Sequence, residues 1–158
     1  MRRAFVDALL GAMESDPDVV LLTADVGYGL LDPVRDRFAD RFHNVGAAEQ
    51  AMIGMGVGLA LADKKPVCYS ITPFLLFRPF ELLRNYLHRQ DVPVLLVGSG
   101  RDDDYREDGF THWAHDAHAV LGLWPAIESY WPNSPPEAAA MFQQALSARL
   151  PAFLSLRR

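Results

Sequence analysis

The chain has one cysteine, Cys68, in 158 residues, so no internal disulfide staples it and a reducing compartment suits it. Cys68 lies within the apolar run Pro-Val-Cys-Tyr-Ser-Ile, which reads as a buried structural thiol and not a nucleophile. Positive charge is not in excess. A net charge of −5 argues against a nucleic-acid backbone or an anionic membrane as partner. No apolar core of signal-peptide length follows Met-Arg-Arg. The most apolar stretch, residues 45–62, is short for a membrane span, glycine-rich and interrupted by Glu49. The expectation is a soluble, cytoplasmic protein. Repeats, low-complexity tracts and linkers are missing too, which leaves a single domain over residues 1–158.

What is present is a globular composition. Half of the residues are apolar and 22% are charged, enough for a full core in a chain of this length. Short apolar runs alternate with longer amphipathic segments. An opening helix with Phe5, Leu9 and Ala12 on one face ends near Asp16-Pro17, and residues 19–23 read as a buried strand. Residues 33–41 read as a helix through Val34 and Phe38, 42–45 as a short strand, and 48–63 as a helix. A strand over 66–71 leads into a helix opened by Pro73 and reaching Arg89, with Leu76, Phe80, Leu83 and Leu87 on one stripe. Residues 92–97 form the clearest strand. A polar loop, a short helix, a strand at 125–128, a helix at 135–148 and a strand at 152–156 complete the chain. Strands alternating with helices pair in parallel through crossovers, so the expected fold class is α/β, a mostly parallel sheet of about six strands with helices on both faces.

Glu49 is the only ionisable residue between Val45 and Ala62. An unpaired charge in an apolar interior costs several kcal/mol, so this carboxylate is neutralised, paired or used. It also stands where a helix starts, and a carboxylate there complements the free N–H groups of the first turn. On its helix Ala47, Ala51, Gly54, Gly58 and Ala62 form one small-residue face. That face suits close packing on the domain's own sheet or a subunit interface, and both remain open.

Three other patterns bear on chemistry. Gly27-Tyr-Gly29 follows the first strand, but Asp32 stands where a dinucleotide fingerprint needs its third glycine, and Gly98-Ser-Gly100 is equally partial. Both read as strand-end turns. His112, His115 and His118 recur at every third residue near Asp108 and Asp116, a composition that suits a divalent metal and a metal-assisted hydrolase. Their spacing matches no zinc pattern, and on a helix their directions spread too widely. Phe74, Phe77 and Phe80 recur at three-residue steps where a helix follows a strand end. Ligands bind there in α/β folds, and a flat heteroaromatic ring stacks on such side chains for about 1 kcal/mol beyond burial.

The order of these pieces is familiar. Thr-Ala-Asp25, Val-Gly-Ala-Ala-Glu49-Gln, Ser-Ile-Thr-Pro-Phe74-Leu-Leu-Phe77 and Glu-Asp108-Gly-Phe-Thr-His112 succeed one another. The chain resembles, over almost its whole length, the pyrimidine-binding domain of the transketolase family of thiamine-diphosphate enzymes. The Asp-Gly-x-Thr-His element is closer to transketolase and deoxyxylulose-phosphate synthase than to 2-oxoacid dehydrogenase β subunits. The resemblance implies a thiamine-diphosphate-binding fold and a role for each matched residue. Glu49 is the catalytic partner of the N1′ nitrogen of the cofactor's aminopyrimidine. Phe74 and Phe77 hold that ring, Asp25 lies near the thiazolium and Phe80 at the pocket edge. His112 faces the substrate as proton donor or hydroxyl ligand, Asp108 binds a donor hydroxyl, and Arg78 is a further substrate-side residue.

The departures shape the expectation. Phe110 stands where the family usually has proline, Trp113 where it has glutamine, and Arg-Asp-Asp-Asp-Tyr-Arg-Glu replaces a glycine-rich lead-in. The serine expected after Asp25 is missing, and Gly100 stands where transketolases tend to have a phosphate-binding histidine. A non-phosphorylated ketose or a 2-oxoacid donor is as admissible as a sugar phosphate. The Gly-Asp-Gly…Asn motif, through which a diphosphate-binding domain holds the cofactor by Mg2+, is absent, as is a C-terminal domain. The resemblance therefore implies one subunit of a split transketolase-like enzyme, inactive alone. A diphosphate-binding subunit would be its partner, through a homodimer contact or in a two-fold heterotetramer. The alternatives are a non-catalytic binding or assembly module of the same fold, and the metal-dependent hydrolase of the three histidines.

Overall fold

The computed structural model describes residues 1–158. Six strands form one sheet: β1 (Val19–Thr23), β2 (Phe42–Asn44), β3 (Lys65–Ile71), β4 (Leu95–Ser99), β5 (Glu128–Tyr130) and β6 (Ala152–Leu156). Their order is β2-β1-β3-β4-β6-β5, and every pair is parallel. Parallel strands need crossovers, and helices supply them on both faces.

Side-chain alternation divides the core in two. Leu21, Val67, Tyr69, Val97 and Leu154 point to one face, where they meet α1 (Arg2–Ser15) and α7 (Pro135–Ala148) through Phe5, Leu9 and Phe142. Leu22, Cys68, Leu96 and Phe153 point to the other, against α3 (Glu49–Leu61), α4 (Thr72–Phe77) and α6 (Ala117–Leu121). α7 begins with a capping box, Ser134 accepting from the Glu137 N–H while the Glu137 carboxylate accepts from Asn133 N–H. Arg41 closes α1 by donating to the carbonyls of Met13 at 2.8 Å and Asp16 at 2.9 Å.

Four elements differ from the sequence expectation. The strand expected over 125–128 forms two to three residues later, as β5 (Glu128–Tyr130). The helix expected over 33–41 stops at Arg37, as α2 (Asp32–Arg37), and a 3₁₀ turn covers Ala39–Arg41. The helix expected over 73–89 is broken into α4, a short α5 (Phe80–Leu82) and a π turn, Leu83–His88. Pro79 sits at the break, where it lacks an N–H and its ring crowds the preceding turn. Leu76, Leu83 and Leu87 keep the apolar stripe buried, whereas Phe80 is 37% exposed. The strand expected over 92–97 starts at Leu95, because Pro93 has no N–H to give the ladder. No helix is long and apolar enough to cross a membrane.

The two readings of the small-residue face separate clearly. α3 packs on its own sheet through Met52, Ile53, Gly56, Val57 and Ala60. At Gly56 an added Cβ would stand 2.9 Å from Cys68 Sγ, so the glycine allows this close approach. The stripe of Ala47, Ala51, Gly54, Gly58 and Ala62 lies on the opposite side and is exposed. Packing on the domain's own sheet is therefore not what these residues do.

Candidate functional site at the carboxyl edge of the sheet

The strand order reverses between β1 and β3, since β1 leads to β2 on one side and β3 leads to β4 on the other. In open α/β sheets the crevice beyond the carboxyl ends at such a point is the ligand site. Glu49 stands there, as the first residue of α3, and is 1% exposed. Its Oε1 accepts from Ser70 Oγ at 3.2 Å, and its Oε2 accepts from Arg78 Nη1 at 2.6 Å. The carboxylate that the sequence left without a partner is thus paired, with a guanidinium brought from α4's C-terminal end.

Arg78 joins Glu49 to the aromatic residues. Its guanidinium carbon lies 3.7 Å from the Phe74 ring centroid, within cation–π range. Phe74 meets His112 edge-to-face at 4.8 Å, and His112 stands 6.4 Å from the Tyr105 ring. Tyr105 in turn hydrogen-bonds Ser99 at the end of β4 at 2.8 Å. The helix that carries Phe74 is fixed at its start, where Thr72 Oγ1 donates to Gly100 O at 2.6 Å. In front of Glu49 opens a depression of about 570 Å3, lined by Ala47, Ala48, Glu49, Gln50, Ala51 and Arg78.

The altered segment that carries His112 is anchored at several points. Arg101 is buried and donates to Ser155 Oγ and O and to Pro132 O. Burial holds its guanidinium below its ordinary value. Arg157 pairs with Asp102 at 3.0 Å and Asp104 at 3.3 Å, and Asp102 bridges Ala114. Side chains of both signs therefore tie the loop to the last strand.

The structure gathers Glu49, Arg78, Phe74 and His112, and leaves four predicted residues, Asp25, Phe80, Asp108 and Phe77, outside that cluster. Asp25 is exposed at the end of β1 with φ 55, a left-handed conformation that costs a non-glycine residue and clusters at functional sites. Its carboxylate accepts from Tyr28, which raises the tyrosine's pKa. Its backbone N–H donates to Asn44 at 2.9 Å. Phe80 packs on Trp124 at 4.7 Å, in a separate depression with Arg84, His88, Arg89 and Leu123. Asp108 is exposed in the 3₁₀ turn before Phe110–His112. Phe77 is 42% exposed on α4.

The metal reading of the histidines fails on geometry. His112 turns to Phe74, His115 to Trp113 at 5.9 Å, and His118 stacks on Trp131 at 3.5 Å. The three rings point to three different aromatic partners, and no group of three or more His, Cys, Asp or Glu side chains is arranged to hold a metal.

One member of the site, Ser70, escapes sequence reasoning. It is legible only as the last inward position of β3, once the strand register is known. The link between Arg78 and Phe74 is legible from their spacing, since residues four apart on a helix are neighbours. That Arg78 also reaches Glu49 depends on α3 and α4 packing side by side on one face of the sheet.

The site is a buried carboxylate held by a serine hydroxyl and an arginine, with Phe74 stacked on that arginine and an open depression in front. The fold and site thus define an α/β domain with a buried, paired carboxylate at the carboxyl edge of its sheet. The family described as "Transketolase, pyrimidine binding domain" matches residues 1–158, and the chain belongs to it.

Relatives agree with this placement. The chain is 34% identical over 146 residues to an uncharacterized 33.6 kDa protein in the fasciation locus of Rhodococcoides fascians, covering 92% of this chain and 47% of that protein. It is 29% identical over 152 residues to an apulose-4-phosphate transketolase subunit of Actinobacillus succinogenes, covering 96% and 49%. A solved structure of a split gene transketolase, an inactive beta4 tetramer, superimposes with a TM-score of 0.87 at 25% identity, over 99% of this chain and 51% of that one. The chain spans about half the length of these relatives.

Proposed function

We propose that this chain is the pyrimidine-binding part of a thiamine-diphosphate-dependent, transketolase-like transferase. The reaction moves a two-carbon ketol unit, or a decarboxylated 2-oxoacid unit, to an aldehyde acceptor. The observation that carries the reading is Glu49, buried and hydrogen-bonded beneath an open depression beside Phe74. The family membership and the Actinobacillus relative, itself a transketolase subunit, support it.

Each residue has a task in this reading. Glu49 holds a proton at the N1′ atom of the aminopyrimidine, and Ser70 keeps its carboxyl oriented. Phe74 and Phe77 flank the ring and exclude water from it, with Asp25 toward the thiazolium; Phe80, packed on Trp124 in a separate depression, takes no part. His112, set against Phe74, faces the substrate, and Asp108 binds one of its hydroxyls. When bound, thiamine diphosphate supplies the stabilised carbanion that such transfers need. Mg2+ and the diphosphate belong to a diphosphate-binding partner subunit. The exposed small-residue side of α3, with Met55 and Leu61, is the contact surface in a heterotetramer, since a helix apolar all round is a buried one.

The test is reconstitution. Mixing the chain with a diphosphate-binding partner, thiamine diphosphate and Mg2+ should give ketol transfer or 2-oxoacid-dependent carboligation. Glu49→Ala should abolish it, and turnover surviving that change would defeat the assignment.

A further inference from the structure

The guanidinium of Arg78 has the shape and the needs of the ligand assigned to this site. It is planar, it brings a nitrogen to a carboxylate oxygen, and it presents a flat face to an aromatic ring. Both needs are met: Nη1 donates to Glu49 at 2.6 Å, and the guanidinium carbon stacks 3.7 Å from the Phe74 centroid. A ring stacked on that face of Phe74 and bonded to Oε2 of Glu49 cannot be accommodated together with this side chain. We propose that Arg78 is a built-in competitor for the pyrimidine, and that it must swing out for the cofactor to bind. The proposal rests on the pyrimidine-binding reading of Glu49.

The surroundings suit a side chain that leaves. Arg78 makes one side-chain hydrogen bond, to Glu49, and its side chain is 43% exposed. It projects from the last turn of α4 just before Pro79 breaks the helix, so its exit disturbs none of the buried stripe of Leu76, Leu83 and Leu87. In either arrangement the buried carboxylate keeps a partner, the arginine or the ring. That solves the problem an unpaired Glu49 would pose, since removing one member of a buried pair strands the other charge.

Two consequences follow for binding. The apparent affinity for the pyrimidine falls by the fraction of molecules in which Arg78 is out. Selectivity rises as well, because a ligand that cannot both stack on Phe74 and hydrogen-bond Glu49 cannot replace the guanidinium there.

Thiamine tests this on the full chain, since it carries the aminopyrimidine without the diphosphate. In calorimetric titrations Arg78→Met, which keeps the apolar stem and loses the fork, should bind thiamine about tenfold or more tightly than the wild type, if Arg78 is out in about a tenth of molecules or fewer. Millimolar guanidinium should compete with thiamine in Arg78→Met and not in the wild type. In the wild-type chain the Arg78 Nε–H resonance should move to its solvent-exposed position as thiamine saturates, a readout that does not depend on the variant folding. If thiamine binds but Arg78→Met binds it equally or less well, or the resonance stays in place, the competitor is refuted and the pyrimidine reading stands. If saturating thiamine binds neither protein, both fall.

Discussion

Gly98→Ala puts the packing that positions the site under direct test. Gly98 lies in β4, where an added Cβ would stand 2.6 Å from Thr72 Oγ1 and 2.8 Å from two ring carbons of Phe153. Neither neighbour yields easily. Phe153 is fully buried and packs on Trp131 at 5.7 Å. Thr72 Oγ1 is committed to Gly100 O at 2.6 Å, the bond that fixes the start of α4. Overpacking of this kind costs about 1–3 kcal/mol, and loss of the Thr72 bond adds about 1 kcal/mol. Relief of glycine's conformational entropy offsets about 0.5–1 kcal/mol. The net expectation is destabilisation by about 2 kcal/mol, which in a domain of this size lowers Tm by about 4–8 °C. Urea and thermal unfolding followed by circular dichroism measure it. A Tm within about 1 °C of the wild type would show that β4 and α4 can move apart freely, against the packing argument.

Three further outcomes follow from other contacts. Lys65 holds the Asp16 carboxyl below its usual value, mainly through their 2.6 Å hydrogen bond. That stability is present above Asp16's unfolded-state pKa and is lost as pH falls through its lower folded value. Asp16→Asn should therefore lower stability at neutral pH and flatten its acid dependence, and parallel stability–pH curves for the two proteins would contradict this. Burial pushes the Cys68 thiol far up, so a disulfide-exchange reagent should react with it only at the rate of unfolding; immediate labelling of the folded protein would place Cys68 elsewhere. At Gly58, where an added Cβ meets nothing within 4 Å, Glu should leave the Tm unchanged or higher while reducing the assembled mass in light scattering, and an unaltered mass would remove α3 from the interface.

The fold was legible because its main signals are local. Strands such as 19–23 and 152–156 carry uninterrupted apolar residues, and a sheet covered on both faces requires that. Prolines set the boundaries that periodicity misplaced: Pro79 ended α4 inside an apolar stripe that continues past it, and Pro93 delayed β4. Glu49 stood out in the sequence because a lone carboxylate in an apolar run needs a partner, and the structure pairs it. Its partners did not, since Ser70 and Arg78 lie 21 and 29 residues away and meet it only when β3 and α4 pack with α3 on one face of the sheet. The histidine triplet, kept in the sequence reading only as an alternative, forms no cluster for the converse reason. Spacing placed three imidazoles near one another in sequence, while aromatic neighbours on different elements drew them apart.

The central claim is that Glu49 works on the pyrimidine of a bound cofactor, and hydrogen–deuterium exchange at the thiazolium carbon of thiamine diphosphate reads that work before any substrate arrives. In the complex of this chain with its diphosphate-binding partner, the wild type should exchange that proton at least ~100-fold faster than Glu49→Ala, the contribution expected of a positioned acid–base group. Equal exchange rates, with cofactor bound to both complexes, would contradict the account.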